Sequence, residues 1–180
     1  MVEPWEAGGG RSPVVAPEHL LAPRRQIEAA VAAALAELPP HDRWITVTVE
    51  DPDGDDLAYA LALVVRDRTT AAEVAAHLGV PVTEPEVIGW ASEWVVSARY
   101  RGSAAGTSVS PTTDPAELAV DLADWLQTFL ADDFISDPVP PCPGHPHPMR
   151  PVVHERKPWW TCPRDSGLVR PWPAQVTDQS

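Results

Sequence analysis

Trp44-Ile-Thr-Val-Thr-Val49, Asp51-Pro-Asp-Gly-Asp-Asp56 and Leu57-Ala-Tyr-Ala-Leu-Ala-Leu-Val-Val65 follow one another as strand, turn and strand. The first segment is rich in β-branched residues, which suit a pleated, half-buried surface. The second collects the residues that favour turns. In the third, Leu57, Tyr59, Leu61, Leu63 and Val65 alternate, so the spacing predicts a hairpin. The acidic turn also invites a calcium loop. Counting from Asp51, however, the twelfth position holds Ala62, where an EF-hand needs an acid to clasp the ion. The turn is therefore read as solvated hairpin chemistry.

Working outward, Ile27, Val31, Ala34, Leu35 and Leu38 recur at helical steps, and Pro39-Pro40 ends that helix. Downstream, Thr70 with Glu73 forms a capping box, and Gly79 stands where a left-handed terminating residue is wanted. A third strand is expected over Glu93–Arg101, with Trp94, Val96, Ala98 and Tyr100 on one face. A fourth is expected at Gly106–Ser110. The last helix starts at Asp114 and Pro115 with Glu117 behind them, and buries Leu118, Leu122, Trp125, Leu126, Phe129 and Leu130.

The expected fold is thus α+β, an antiparallel sheet of three to four strands packed against two longer helices. A Pro-rich C-terminal appendage follows. Residues 1–17, with three Gly and three Pro, read as a flexible arm, residues 18–137 as the globular domain, and residues 138–180 as the tail. Eleven of the 22 prolines fall between Pro138 and Pro173, which excludes long regular elements there. Trp44, Trp94 and Trp125 are expected in the core. Trp90, Trp159, Trp160 and Trp172 lie in segments read as irregular, where they dock the tail or anchor a partner.

Charge narrows the partners. The chain carries −13 over 180 residues, with 8 basic and 23 acidic side chains in residues 1–141 but 5 and 3 in residues 142–180. An acidic body repels phosphate backbones, so nucleic acid is not expected as a partner, whereas a basic protein is. No apolar run reaches the roughly 18–20 residues that span a bilayer, and no export signal is visible. No membrane association is expected, and the cytoplasm, with reduced thiols, is the expected compartment.

Thr70-Ala-Ala-Glu-Val-Ala-Ala-His-Leu-Gly-Val80 resembles the first helix and turn of a bacterial helix-turn-helix regulator. The resemblance implies a recognition helix next. Pro81-Val-Thr-Glu-Pro-Glu-Val87 stands there instead, with two prolines, two acids and no base, so DNA binding is the weakest of the functional readings.

The chemistry concentrates in the tail. Cys142-Pro-Gly-His145 and Cys162-Pro-Arg-Asp165 share one form, Cys-Pro-x followed by a ligand type, and hold both cysteines of the chain. The pair resembles the zinc ribbon family, in which two Cys-x-x-Cys knuckles meet over one tetrahedral ion. His145 and Asp165 stand where that family has cysteine. The resemblance implies a structural zinc held by Cys142, His145 and Cys162, with His147 or Asp165 as the fourth ligand. His154 and water are the other candidates for that place. Two alternatives remain open, a tail without metal and a Cys142–Cys162 disulfide. The chain also resembles small uncharacterised actinobacterial proteins ending in Cys-Pro-Gly-His-x-His-Pro and a later Trp-x-Cys-Pro, a likeness that brings no catalytic residues. No phosphate loop or nucleophile elbow is present.

The leading expectation is a non-enzymatic protein-binding or adaptor module with a structural zinc in its tail, immunity- or antitoxin-like in its acidity. A metal-dependent hydrolase using Cys142, His145, Cys162 and bound water is the enzymatic alternative. Because the core is placed in residues 20–135, the body is expected to keep its stability when the metal is removed.

Overall fold

The structure is a computed structural model that describes residues 17–132 and 139–173. Residues 1–16 of the expected N-terminal arm, residues 133–138, where the domain is expected to give way to the tail, and residues 174–180 lie outside them. The described residues form a mixed α+β fold of five α-helices and two three-stranded antiparallel sheets.

The first sheet has the order β1 (Thr46–Glu50), β2 (Trp94–Tyr100), β3 (Ser103–Val109). The inward face of β2 is the one its alternation predicts: Trp94, Val96, Ala98 and Tyr100 are all buried. Against it pack α1 (Leu21–Ala36), which contributes Ile27, Val31 and Ala34, and α5 (Pro115–Asp132), which contributes Leu118, Leu122 and Leu126. Asp114 accepts from the Ala116 amide, and the stripe through Phe129 and Leu130 is buried, with Trp125 half-buried at its margin.

The expected hairpin does not form. Gly54–Asp67 is a helix, α2, and β1 pairs instead with β2, Thr46 opposite Arg99 and Glu50 opposite Val95. The run read as a turn is a helix cap. The Asp53 carboxylate accepts from the Asp55 and Asp56 amides, and the Asp56 carboxylate accepts in return from the Asp53 amide. Two orphan donors of the first turn are thereby satisfied. The alternating large residues are separated by Ala58, Ala60, Ala62 and Val64, so every position tolerates a helix. Ala and Leu are strong helix formers.

The capping box at Thr70 and Glu73 forms as expected and opens α3 (Ala71–Leu78), which closes on Gly79 at φ +73°. The next segment holds a short helix, α4 (Glu86–Ala91), which buries Val87 and Trp90 and contains no Lys or Arg. Trp90 is therefore helical and buried with Ala71, Val74 and Val87 in a small second core, not in an irregular segment. Trp44 is a further correction, 69% exposed because it caps a single 3-10 turn, His41–Arg43, outside the sheet's inner face. Trp159 and Trp160 are another, since they lie on a strand, Lys157–Thr161, instead of an irregular segment.

The tail contains the second sheet, in the order β4 (Arg150–His154), β5 (Lys157–Thr161), β6 (Leu168–Pro171). Its prolines obey the usual restriction. Pro151 and Pro171 lie on the two edge strands, and Pro158 sits near the start of the central strand, beyond the last pair that β5 makes with β6. Trp160 and Trp172 stack with ring centroids 5.3 Å apart. Both are buried in the same hydrophobic cluster as Ile27, Trp94 and Leu126. Trp159, on the opposite face of β5, is only half-buried. Among the described residues no helix is long and apolar enough to cross a membrane.

Candidate metal centre

The site is built from two reversing loops at one end of the second sheet. In the first, the Cys142 amide donates to His147 O and the Met149 amide to Pro140 O, while the His145 amide closes a turn onto Cys142 O. Pro141 and Pro148 form an isolated bridge beneath it. Gly144 takes φ +77°, a backbone conformation a side chain would strain, with no heavy atom near its absent Cβ. In the second loop the Cys162 amide donates to Gly167 O and the Ser166 amide to Cys162 O, and the Thr161 hydroxyl donates to Gly167 O.

These loops bring Cys142, His145, His147 and Cys162 together, with one ligand atom from each and all four atoms within 4.8 Å of one another. The imidazole of His145 bridges the thiols. Its Nδ1 lies 3.5 Å from Cys142 Sγ and 3.4 Å from Cys162 Sγ. A tetrahedral ion with metal–sulfur bonds of about 2.3 Å and metal–nitrogen bonds of about 2.0 Å sets its sulfur and nitrogen ligands about 3.5 Å apart. The observed separations match that spacing.

His147 supplies a second, independent indication. Its Nδ1 is 3.0 Å from Pro148 O, so Nδ1 carries the proton and Nε2 is left with its lone pair. That Nε2 is buried and has no hydrogen-bond partner. An orphaned acceptor in such a place is costly unless something electropositive meets it. The imidazoles of His145 and His147 stack with centroids 5.0 Å apart, which keeps both rings in the cluster.

Both cysteines are free and buried. Desolvation by burial, then the facing Cys162 thiol and the Asp165 carboxylate, raise the Cys142 thiol above its ordinary value. Two adjacent thiolates are therefore unfavourable alone, and a divalent cation would relieve their repulsion. A Cys2His2 donor set fits such an ion.

Asp165 stands outside the four-residue group, close enough to act on Cys142 through its charge. His154 is also outside it, at the far end of β4, where it meets Trp159 edge-on and lies 3.8 Å from Glu155.

Three residues that the sequence did not single out hold the site against the body. Gln127 of α5 donates to Val139 O at 2.6 Å and to Met149 O at 2.9 Å, and so clasps both sides of the first loop. Glu37, at the end of α1, is only 4% exposed and accepts from Trp160 Nε1 at 2.7 Å. Arg170 of β6 pairs with the same carboxylate oxygen at 2.7 Å. Each of these contacts spans a long stretch of chain. The local hint was an acid at the helix end, one residue removed from Pro39-Pro40.

No protein-family model, no curated protein and no solved structure matches the chain.

Proposed function

We propose that the two loops hold one structural zinc ion in a zinc-ribbon-like site, and that the chain is a non-enzymatic protein-binding module clipped together by that ion. The observation that carries this reading is the orphaned Nε2 of His147, a residue whose imidazole belongs to one close group with both thiols and His145. With His147 as the fourth donor, four protein atoms complete a tetrahedral shell. A hydrolase would instead need an open position for water and a carboxylate base nearby. Four protein donors in the group would leave no such open position, which favours the structural role although Asp165 stands near. The zinc would hold the loops closed, and binding energy would become folding energy for the tail.

The binding reading draws on charge and on exposed apolar residues. A net charge of −13 suits a basic protein partner, as in an immunity- or antitoxin-like role, and disfavours nucleic acid. The absence of Lys and Arg from α4 points the same way. Trp44, exposed at 69%, is a ready anchor for a partner.

Metal analysis of reduced protein purified without added zinc tests the metal reading, with native mass measured alongside. One zinc per chain is expected, lost on Cys142→Ser or His147→Ala but kept on Asp165→Asn. Metal content near zero in fresh wild-type protein would sink the proposal. Native mass and a pull-down with a basic partner panel test the binding reading separately.

A further inference from the structure

The helix α2 is the least covered of the five α-helices. Of its fourteen residues only Ala60 is buried, while Tyr59 is 68%, Leu61 46% and Val65 68% exposed. At about 100° per residue, Ala60, Val64 and Leu57 face the body. The opposite surface is centred on Ala58 and Ala62. Leu61 and Val65 flank it on one side, and Tyr59, Asp55 and Arg66 on the other. Apolar residues gathered on one solvent-facing helix surface mark an interaction site.

The charges on this surface say what covers it. Asp55 and Arg66 are eleven residues apart, three helical turns, and so lie within about 20° of one line along the helix. The acid stands at the N-terminal end and the base at the C-terminal end. A twofold axis through the middle of such a helix lays a second copy across it in the opposite direction. Each flank then meets its own counterpart. Asp55 faces the second copy's Arg66, and the reverse, on one side, while Leu61, close to the axis, meets its equivalent on the other. Ala58 and Ala62 in the centre let the two backbones approach closely. Such a self-complementary patch is what a twofold interface requires. Arg66 holds its neighbour Asp67 in a forked pair, Nε at 2.7 Å and Nη2 at 2.8 Å, with both side chains well exposed. Of the five N–H donors of a guanidinium, those on Nη1 are left to meet the second copy's Asp55.

We propose that the exposed face of α2 is a homodimer seam, in which two copies of the chain pair α2 antiparallel about a twofold axis. The helix is roughly 21 Å long, so the seam is small and the dimer weak. This interface is independent of the metal centre.

The test is sedimentation of the full, metal-loaded chain over roughly 1 to 300 µM, the range where a small interface dissociates. A reversible monomer–dimer equilibrium is expected for the wild type. Arg66→Asp and Asp55→Arg should each weaken it at least tenfold by setting like charges opposite. Combining both should restore it, because the exchanged pair again carries opposite signs. Ala62→Arg should abolish it, and the circular dichroism of each variant checks that α2 is intact. A wild type that stays monomeric throughout overturns the proposal and leaves the face to a different protein. A dimer indifferent to Ala62→Arg, or a double variant that fails to recover while remaining folded, overturns it equally.

Discussion

Glu37 shows how much one buried carboxylate can decide. It is 4% exposed and carries two charge-assisted or indole hydrogen bonds that join α1 to β5 and β6. Removing it leaves a buried indole N–H and a guanidinium without their acceptor, and such losses exceed the modest value of an intact pair. Glu37→Ala is expected to cost roughly 2 to 4 kcal/mol. Glu37→Gln should cost less, since its amide oxygen can still accept from Trp160. Urea denaturation of the metal-loaded variants measures both, and a change within about 0.5 kcal/mol for Glu37→Ala would remove Glu37 from this role. At this scale the grouping of Cys142, His145, His147 and Cys162 was among the sets that the zinc ribbon resemblance implied. What spacing left open is which of His147 and Asp165 lies beside the thiols. The structure gathers His147 with them and leaves Asp165 outside the group, a matter of side-chain orientation.

At the scale of elements, strands and helices with strong local signals formed where the residues predict them. The Thr70–Glu73 box, the β2 alternation and the α5 stripe each combine periodicity with a chemical start signal. The misreading at 51–65 has a physical cause. Its large residues alternate, and the intervening residues are mostly Ala, compatible with either period, so the cap chemistry of Asp53 decides the conformation. Because α2 buries only Ala60, its helicity depends on that cap more than α5 depends on its own. Asp53→Ala is accordingly expected to destabilise α2 by about 1 kcal/mol. The loss should show as faster amide exchange across Leu61–Val65, with global melting shifted far less. Unchanged exchange in α2 would mean that packing, rather than the cap, holds the helix.

For the whole molecule, the decisive fact is a single buried cluster shared by both sheets. Trp160, Trp172, Met149, Cys142 and Cys162 belong to the same hydrophobic cluster as Ile27, Trp94 and Leu126. Gln127 ties α5 to the first loop, and Glu37 ties the end of α1 to β5, by hydrogen bonds. The expectation that the body would be indifferent to the metal assumed that its core ended near residue 135. With a shared core, releasing the loops loosens contacts that α1 and α5 also need. Chelation is therefore expected to lower the melting temperature of the entire chain in one transition, by the order of 10 °C. Calorimetry with and without chelator decides it. An unchanged main transition, with protease cutting confined to 139–172, would show a body that stands alone.

The sequence by itself determined the class of the fold, most of its helices, the buried face of β2 and the residues able to bind a metal. Each of these is set by interactions within a few residues, such as periodicity, caps and ligand spacing. Tertiary structure decided which strand β1 joins, that Trp44 faces solvent, that Trp160 finds Glu37 from 123 residues away, and that His147 stands beside both thiols. Those outcomes depend on which surfaces meet, and contacts between distant segments leave no periodic trace in a single chain.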